Sequence, residues 1–332
     1  MLRPTDAEQV TPGNTRRVPR FADYLGLAAV LMLLVALFSV MSEHFLSRLT
    51  FTTLANQIPA LTVIAVGMTL VLVAAGIDLS VGSVMALGSG VLAVARVNWQ
   101  LPLPVAIALC LGVGLLAGLL NGFVTVRWTI PSFIVTLGML EVARGGAYLV
   151  TDSRSVFVGG AIGNVGTPLP IVGLSPAFLF ALLAVVSGQI LLSRTVLGRY
   201  IVAVGTNREA VRLSGIDPRP VVLAVFAISG LLSGLGGVFH LAYLESADPN
   251  SGIGLELSAI AAVVIGGTSL MGGRGSVVSS FLGVLIIAVL QAGLAEVGAT
   301  EPAKRIVTGA VIVAAVILDA YRRRRTERQE RD

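Results

Sequence analysis

Three groups of polar side chains interrupt otherwise apolar stretches of this 332-residue chain. They are Asp78 with Ser80, Glu141 with Arg144, and Thr268 with Ser269. Their hydroxyl, carboxylate and guanidinium groups can hydrogen-bond a polar substrate. Inside a membrane such groups are costly unless they are paired or face a water-filled path. These six residues are therefore candidates for the lining or the gate of a transport pathway.

Asp78 lies in a turn, Gly76 to Gly82, between two apolar stretches. Residues 58–95 are barely enough for two crossings of about 20 residues each, so we expect the turn at or slightly below the membrane surface. One interpretation is structural: Asp78 caps a helix that begins near Ser80, where the helix dipole favours a negative charge. The other interpretation is a direct role in the gate or the substrate path.

Glu141 and Arg144 are three residues apart within one apolar stretch, so they share a helical face. An ion pair within that helix is one interpretation, because pairing lowers the cost of charges inside a membrane. A role in the transport pathway is the other.

A second polar-centred region, Gly266 to Gly275, contains Thr268 and Ser269. Residues 82–92 and 275–285, which include the start of the stretch after each polar region, are identical at 6 of 11 aligned positions. An internal duplication explains this likeness, since transporters commonly contain repeats with breaks near the substrate path. The glycine-rich composition of the chain is the alternative explanation.

Catalytic chemistry has no support in the sequence. There is no phosphate-binding Gly-x-x-x-x-Gly-Lys-Ser/Thr loop, and the single lysine, Lys304, lies outside any glycine-rich turn. His44 and His240 stand far apart without the spacing of a zinc site or a Ser-His arrangement. We therefore predict no catalytic residue, no metal site and no cofactor bound by this chain.

The composition is that of a membrane protein. Hydrophobic residues make up 55% of the chain and charged residues only 12%, against about a quarter in soluble proteins. We predict an all-α, polytopic helix bundle with about ten spans between a tail at 1–20 and a basic tail at 321–332. The predicted spans are 21–41, 58–75, 82–95, 101–120, 131–150, 171–193, 220–240, 257–271, 276–295 and 304–320.

Positive charge is distributed unevenly between the two predicted sides. An even number of spans places both tails on one side, together with the polar loop 194–220, and 17 of the 23 Lys and Arg residues fall there. By the positive-inside rule, both termini and this loop are cytoplasmic. The same arginines account for the net charge of +5, so nucleic-acid binding is not needed to explain it.

The loop 194–220 contains the signature of a short helix. Thr206 followed three residues later by Glu209 is the pattern of a capping box, and Gly215 suits the left-handed position that closes a helix. We therefore predict a helix of about two turns from Asn207 to Ser214. Its predicted apolar face consists of Ala210, Val211 and Leu213, and Arg208 and Arg212 lie together on another face. A short amphipathic helix held between two spans is a docking surface.

Residues 209–215 fit the Glu-Ala-Ala-x-x-x-Gly loop by which ABC importer permeases engage their ATPase, with Val211 in place of the second Ala. From about residue 20 to 320 the chain resembles the ribose/xylose-type sugar permeases of bacteria. It departs from their pattern at Ser258, where an acid is expected. The motifs that carry the resemblance are Gly76–Gly82, Thr136–Met139, Gly198–Tyr200 with Val204–Gly205, Asn207–Ile216 and Leu257–Ser276.

This resemblance implies the permease subunit of an importer in the bacterial inner membrane, most simply for a ribose- or xylose-like monosaccharide. Its expected partners are a second permease chain, forming a homodimer, an ATPase that binds ATP and Mg²⁺, a periplasmic or lipid-anchored substrate-binding protein, and membrane lipid. The residues that would couple to the ATPase are Thr206, Asn207, Arg208, Glu209, Ala210, Val211, Arg212, Leu213 and Gly215.

Other substrates and another class of function stay open from the sequence. Relatives of the family carry autoinducer-2, nucleosides or branched-chain amino acids. An ion-coupled secondary carrier that works alone is the alternative of a different class, but such a carrier needs no docking loop.

Overall fold

A computed structural model describes residues 21–170, 173–300, 302–311, 313, 314 and 317. The predicted tails, 1–20 and 321–332, and part of the predicted span 304–320 lie outside the described residues. Within them the fold is all-α, as predicted, apart from one pair of two-residue strands.

The helices and strands, in chain order, are α1 (Phe21–Met41), α2 (Arg48–Gln57), α3 (Pro59–Val73), α4 (Val81–Val97), α5 (Leu103–Trp128), α6 (Ser132–Val150), β1 (Val156–Phe157), a 3-10 turn (Gly159–Ile162), α7 (Gly163–Gly166), α8 (Pro176–Arg194), α9 (Val196–Thr206), α10 (Arg208–Leu213), α11 (Arg219–Leu244), β2 (Ser246–Ala247), α12 (Leu255–Ile265) and α13 (Val277–Glu296). Residues 302–311 are helical as well.

Within the part of the chain that the structure describes, six helices are long and apolar enough to cross a membrane: α1, α5, α6, α8, α11 and α13. The bent pair α2 and α3 adds a seventh crossing if it is counted as one span. The predicted span 82–95 corresponds to α4, which has 17 residues, and the predicted span 257–271 corresponds to α12, which has only 11. The chain is therefore a polytopic membrane protein, but helix length by itself identifies fewer crossings than ten.

The centre of the bundle is formed by α3, which is apolar on all sides and buried at every position except Leu61. A helix that is hydrophobic all round is stable only when other helices surround it. The neighbours of α3 include α8, α11, α12 and α13. Helix α1 packs at the edge against α13 and exposes large apolar side chains such as Leu33.

Small residues allow α5 and α11 to pack with their backbones in close contact. A Cβ atom added to Gly118 would lie 2.2 Å from the Phe226 carbonyl oxygen, and one added to Gly114 would lie 2.3 Å from that of Gly230. Such stripes of small residues let membrane helices approach closely. Gly230 and Gly234 of α11 both lie in this contact surface.

Two non-helical segments enter the bundle and meet inside it. The first, residues 74–80, connects α3 to α4, and the second follows β2 and leads to α12. The second segment touches the first turn of α4, directly after the first segment, where a Cβ atom on Gly82 would lie 2.4 Å from the Gly252 carbonyl oxygen. Because Asp78 in the first segment bonds Ser229, well inside the 26-residue α11, this meeting point lies within the bundle and not at its surface.

Candidate functional site

Helix α10 is short but closed at both ends. Asn207 is its N-cap, with an extended backbone and a side-chain oxygen that accepts a hydrogen bond from the Ala210 N–H at 2.9 Å. At the other end Gly215 has a φ of +82°, so its predicted left-handed conformation is confirmed. The helix therefore spans nearly the predicted residues, and its flanking residues fix its ends.

Two backbone hydrogen bonds complete the C-terminal closure of α10. The Gly215 N–H donates to the Arg212 carbonyl, and the Ile216 N–H donates to the Val211 carbonyl. This pair of bonds is the Schellman motif, which often includes an apolar contact between the residues that correspond here to Val211 and Ile216. Both side chains pack in the apolar cluster at the base of α9 and α11.

The predicted capping box is wrong. Thr206 is the last residue of α9, and its hydroxyl donates back to the Val202 carbonyl at 2.8 Å. Glu209 pairs with Arg212 at 2.8 Å instead of reaching back to the start of the helix. The box fails because Thr206 still belongs to the preceding helix, whereas an N-cap needs the extended backbone that Asn207 has.

The predicted apolar face of α10 is also only partly correct. Val211 is buried, but Ala210 and Leu213 point away from the protein, and Leu213 is 79% exposed. Arg208, Glu209 and Arg212 are exposed too. One apolar side chain thus anchors the helix, and the rest of its surface is free to contact another molecule.

A junction of backbones links the α9–α10 corner to the rest of the bundle. A Cβ atom added to Gly205 would lie 1.8 Å from the Val73 carbonyl oxygen, at the end of α3. The Gly273 N–H donates to that same carbonyl at 2.8 Å. No side chain separates the backbones at this junction, so the end of α9 is in direct contact with the end of α3 and with the 266–276 segment.

Asp78 is buried and lies at the centre of a hydrogen-bond network. Its Oδ1 accepts from the Ser80 N–H at 3.0 Å and from the Ser80 hydroxyl at 2.7 Å, and its Oδ2 accepts from the Ser229 hydroxyl at 2.9 Å. Asn121 donates to the Ser80 oxygen at 3.0 Å. The N-cap of α4 is Ser80 and not Asp78, so the predicted capping role is corrected: Asp78 binds the N–H that precedes the first turn.

Helix α6 satisfies the backbone of the segment that carries Asp78. The Ser132 hydroxyl accepts from the Ile77 N–H at 2.9 Å, and the Thr136 hydroxyl accepts from the Leu79 N–H at 3.1 Å. Non-helical backbone inside a membrane persists only where such partners exist. The segment is therefore an ordered part of the bundle, bonded to α6 on one side and to α11 on the other.

Glu141 and Arg144 do not form the predicted ion pair. The Arg144 guanidinium donates to the carbonyls of Pro249 and Ser251, at 2.8 Å for Ser251. Glu141 is exposed, and it makes no hydrogen bond or ion pair with any residue that the structure describes. The guanidinium of Arg144 is engaged instead by two carbonyls on the segment after β2, which compete with Glu141 for its N–H groups.

Both residues instead line a cavity of about 230 Å³ between α4, α6 and the start of α12. Ser83 and Glu256 line it as well. We call this the outer cavity. A second cavity of about 190 Å³ lies beside α10 and is bordered by Gly76, Thr125, Ser132, Arg208 and Phe226, among others. We call this the inner cavity. Residues 76–83, which comprise the end of the non-helical segment and the start of α4, run from one cavity to the other.

Thr268 and Ser269 belong to a separate polar cluster. The Thr268 and Ser280 hydroxyls are 3.4 Å apart, and the Thr69 hydroxyl donates to that of Ser280 at 2.8 Å. Ser269 accepts from the Met271 N–H at 3.2 Å. Within the described residues no hydrogen bond joins this cluster to Asp78 or to Glu141. The six predicted pathway residues thus occupy three places and not one.

Sequence reasoning missed Asn121, Ser229, Ser83 and Glu256 as members of these sites. Asn121 carried a usable signal, since it is the only amide side chain in the apolar α5. Ser83 and Ser229 carried none, because serine is ordinary in membrane helices. The place of Glu256 beside Glu141 depends on contacts distant in sequence.

Comparison with known proteins identifies the family. The model of the family described as branched-chain amino acid transport system / permease component matches residues 50–316. The ribose import permease protein RbsC of Haemophilus influenzae is 38% identical over 88% of this chain and 91% of the relative. The fructose import permease protein FrcC of Rhizobium meliloti is 31% identical over 90% of this chain and 85% of the relative.

A third relative, the D-allose transport system permease protein AlsC of Escherichia coli K12, is 35% identical over 90% of this chain and 92% of its own length. No solved structure matches the chain. The family match covers well over half of the chain, and the relatives align over nearly their whole length. The resemblance deduced from the motifs is confirmed, and the chain belongs to this family of transport-system permease components.

Proposed function

We propose that this chain is the transmembrane permease subunit of a binding-protein-dependent ABC importer for a monosaccharide. The relatives are named as permeases for ribose, fructose and allose, three simple sugars, which favours a sugar over autoinducer-2, nucleosides or amino acids. The single structural observation that carries the proposal is α10, an exposed helix between α9 and α11 that directly follows the α9 residues in contact with the end of α3 and with the 266–276 segment.

The ATPase partner docks on the exposed surface of α10. Arg208, Glu209, Ala210, Arg212 and Leu213 present charge and one large apolar side chain to it, whereas Val211 holds the helix to the bundle. ATP and Mg²⁺ are bound by that partner, because this sequence has no phosphate-binding loop. Closure of the ATPase pulls on α10, and the junction at Gly205 carries the displacement to α3.

The bundle crosses the bacterial inner membrane about ten times. Length and composition identify up to seven crossings. The other three are α4 and α12, which follow the two non-helical segments, and the helix at 302–311. Residues 21–320 form the membrane domain, with the coupling loop at 194–220. The tails at 1–20 and 321–332 are cytoplasmic, as the positive-inside rule requires for an arginine-rich tail.

Asp78 and Ser80 form the barrier between the outer and inner cavities. Their segment is held on one side by α6, whose hydroxyls accept its N–H groups, and on the other by Ser229 of α11. Alternating access then requires these polar contacts to open and close as α3 moves. The cluster around Thr268 and Ser269 lies on the far side of α3 and links that movement to α13.

A second permease chain completes the pathway. Glu141 lies midway along α6, a 19-residue span, and is exposed on the isolated chain. A carboxylate facing lipid at that depth costs about 2.5–3.5 kcal/mol on insertion scales. The side chain therefore faces a polar path, and a second copy of this chain on the same face of α6 would enclose that path.

A three-component uptake assay tests the proposed function. Vesicles containing this chain with its ATPase, supplied with the binding protein and ATP, are expected to accumulate D-ribose, D-fructose or D-allose. Omission of the ATPase, the binding protein or ATP is expected to abolish uptake. Sugar uptake by this chain alone would favour the stand-alone secondary carrier and contradict the proposal.

A further inference from the structure

The outer cavity has the size and the lining of a site for one small polar molecule. Its volume of about 230 Å³ lies below the roughly 300–1,000 Å³ of sites for drug-sized ligands. Leu140 and Ile253 give it an apolar wall, and carboxylate, hydroxyl and guanidinium groups converge on the rest. A few polar groups on an apolar wall are the usual pattern of a small-molecule site.

Ser83 is the strongest single indication that the outer cavity has a ligand. The residue is only 1% exposed, yet its hydroxyl oxygen has no hydrogen-bond partner among the described residues. A buried hydroxyl without a partner costs about 1–3 kcal/mol. Because Ser83 borders the cavity, a polar group inside the cavity removes that cost.

The carboxylates of the outer cavity favour a ligand that donates hydrogen bonds. Glu141 makes no hydrogen bond and no ion pair within 4 Å with a described residue, although its charge interacts with that of Arg144. Glu256 accepts only one hydrogen bond from a described residue, that of the Gly254 N–H at 3.2 Å, so it retains free acceptor capacity. Arg144 is already bound to the carbonyls of Pro249 and Ser251.

The charge balance of the cavity argues for a neutral ligand. Two carboxylates and one guanidinium leave an excess of one negative charge, which disfavours an anion. The guanidinium is fixed to backbone carbonyls and does not offer a free counter-charge for the carboxylate of an amino acid. Hydroxyl groups of a sugar donate to carboxylates and accept from a serine hydroxyl, so they suit all the free groups at once.

We propose that the outer cavity is a monosaccharide subsite of the permease, in which Ser83, Glu141 and Glu256 hydrogen-bond sugar hydroxyls. This inference rests on the proposed function, since it names where that importer holds its sugar. Arg144 is a positioning residue: it ties the segment after β2 to α6 and thereby places Glu256. The contact between Gly82 and Gly252 forms the inner end of the subsite and separates it from Asp78.

Alkylation of a reporter cysteine tests the subsite. Ile253 lines the outer cavity and is 56% exposed, so Ile253→Cys in a Cys110→Ala background reports on access to the cavity. Asn98→Cys, an exposed position at the far end of α4, is the matched control. Both variants are labelled with a membrane-impermeant thiosulfonate in complex with the ATPase, with D-ribose, D-fructose, D-allose or L-leucine present.

A transported sugar is expected to slow labelling at position 253 and not at position 98. At about ten times the half-protecting concentration the slowing is about tenfold, because about a tenth of the sites stay empty. Protection by L-leucine and not by any sugar, or equal labelling with and without sugar, would overturn the subsite.

Substitutions of the carboxylates supply the second measurement. Glu141→Gln and Glu256→Gln are each expected to raise the half-protecting sugar concentration about tenfold, the loss of one hydrogen bond to a charged group. Glu43→Gln, an exposed acid between α1 and α2, is expected to leave it unchanged. Ser83→Ala is expected to raise it as well. Unchanged protection in all three cavity variants would overturn the assignment of these residues.

The outcomes separate the subsite from the proposed function. Uptake by the wild-type three-component system without protection at position 253 refutes the subsite and leaves the importer standing. Absence of uptake of all three sugars by the wild-type system refutes the importer, and the subsite with it.

Discussion

The Asp78 carboxylate accepts a hydrogen bond from the Ser229 hydroxyl at 2.9 Å, across 151 positions of the chain. This bond joins the segment that separates the two cavities to the middle of α11. Both residues are only 1% exposed. A buried carboxylate is stable only when its oxygens are bonded, so the pair holds the segment against α11.

Asp78→Asn is expected to retain more transport than Asp78→Ala. The Asn oxygen still accepts a hydrogen bond from the Ser80 N–H, whereas Ala leaves the Ser80 and Ser229 hydroxyls without their acceptor. Each buried group that stays unsatisfied destabilises the protein by about 1–3 kcal/mol. Uptake and thermal stability of the two variants are compared at equal membrane abundance. Severe and equal loss of uptake in both, with normal stability, would show that transport requires the charge itself.

Gly118→Ala is expected to destabilise the bundle by about 1–3 kcal/mol, the range for overpacking a tight interface. The added Cβ atom would lie 2.2 Å from the Phe226 carbonyl oxygen. Gly112→Ala on the same helix is the matched control, because its Cβ atom meets nothing within 4 Å. The midpoint of thermal inactivation in detergent measures the difference. Equal midpoints for the two variants would contradict the close packing of α5 on α11.

Asn207→Ala is expected to weaken ATPase binding more than Thr206→Ala. Asn207→Ala removes the N-cap of α10, which lowers the stability of the helix by about 1 kcal/mol. Thr206→Ala removes only a hydroxyl that donates to the Val202 carbonyl within α9. The amount of ATPase that co-purifies with each variant measures the effect. A larger loss with Thr206→Ala would restore the capping box that the structure replaces.

Single cysteines at Asn98 and Leu213, in a Cys110→Ala background, are expected to react from opposite sides of the membrane. Asn98 is exposed beyond α4, and Leu213 is exposed on α10, next to the other end of the bundle. An impermeant maleimide added to spheroplasts is expected to label position 98 only and, added to inverted vesicles, position 213 only. Labelling of both positions from one side would contradict the proposed orientation.

The apolar stretches could be located from composition, but the non-helical entries into the bundle could not. The span 21–41 and the helix α1 coincide, and the spans near α6, α11 and α13 deviate by a few residues, because long apolar runs leave no other fold in a membrane. Helix α9 was missed because it lies inside the arginine-rich loop 194–220, which the sequence analysis read as polar. The end of α12 at Ile265 depends on contacts of Gly266 with Ser279, which no local pattern reveals.

Polar pairing was harder to predict than polar position. The sequence paired Glu141 with Arg144 and Thr206 with Glu209, but neither pair forms in the structure. Arg144 bonds carbonyls more than 100 positions away, which local spacing cannot predict. Thr206 lost its capping role because α9 continues through it. Local sequence motifs therefore identified residues of the site, but which of them pair depends on tertiary contacts.

The most direct test of the central claim is the rate of ATP hydrolysis when the loaded binding protein is added to the complex of this chain with its ATPase. Leu213 is 79% exposed on α10 and has no packing role, so Leu213→Asp leaves the fold intact. Loss of the Leu213 side chain from the interface is expected to reduce the free energy of ATPase binding by about 2 kcal/mol, which raises the dissociation constant about thirtyfold.

Leu46→Asp, an exposed leucine before α2 at the opposite end of the bundle, is the matched control. We predict that the wild-type chain and Leu46→Asp support stimulated hydrolysis at limiting ATPase concentration, and that Leu213→Asp does not. Full stimulation with Leu213→Asp would contradict the assignment of α10 as the surface through which ATP hydrolysis drives this permease.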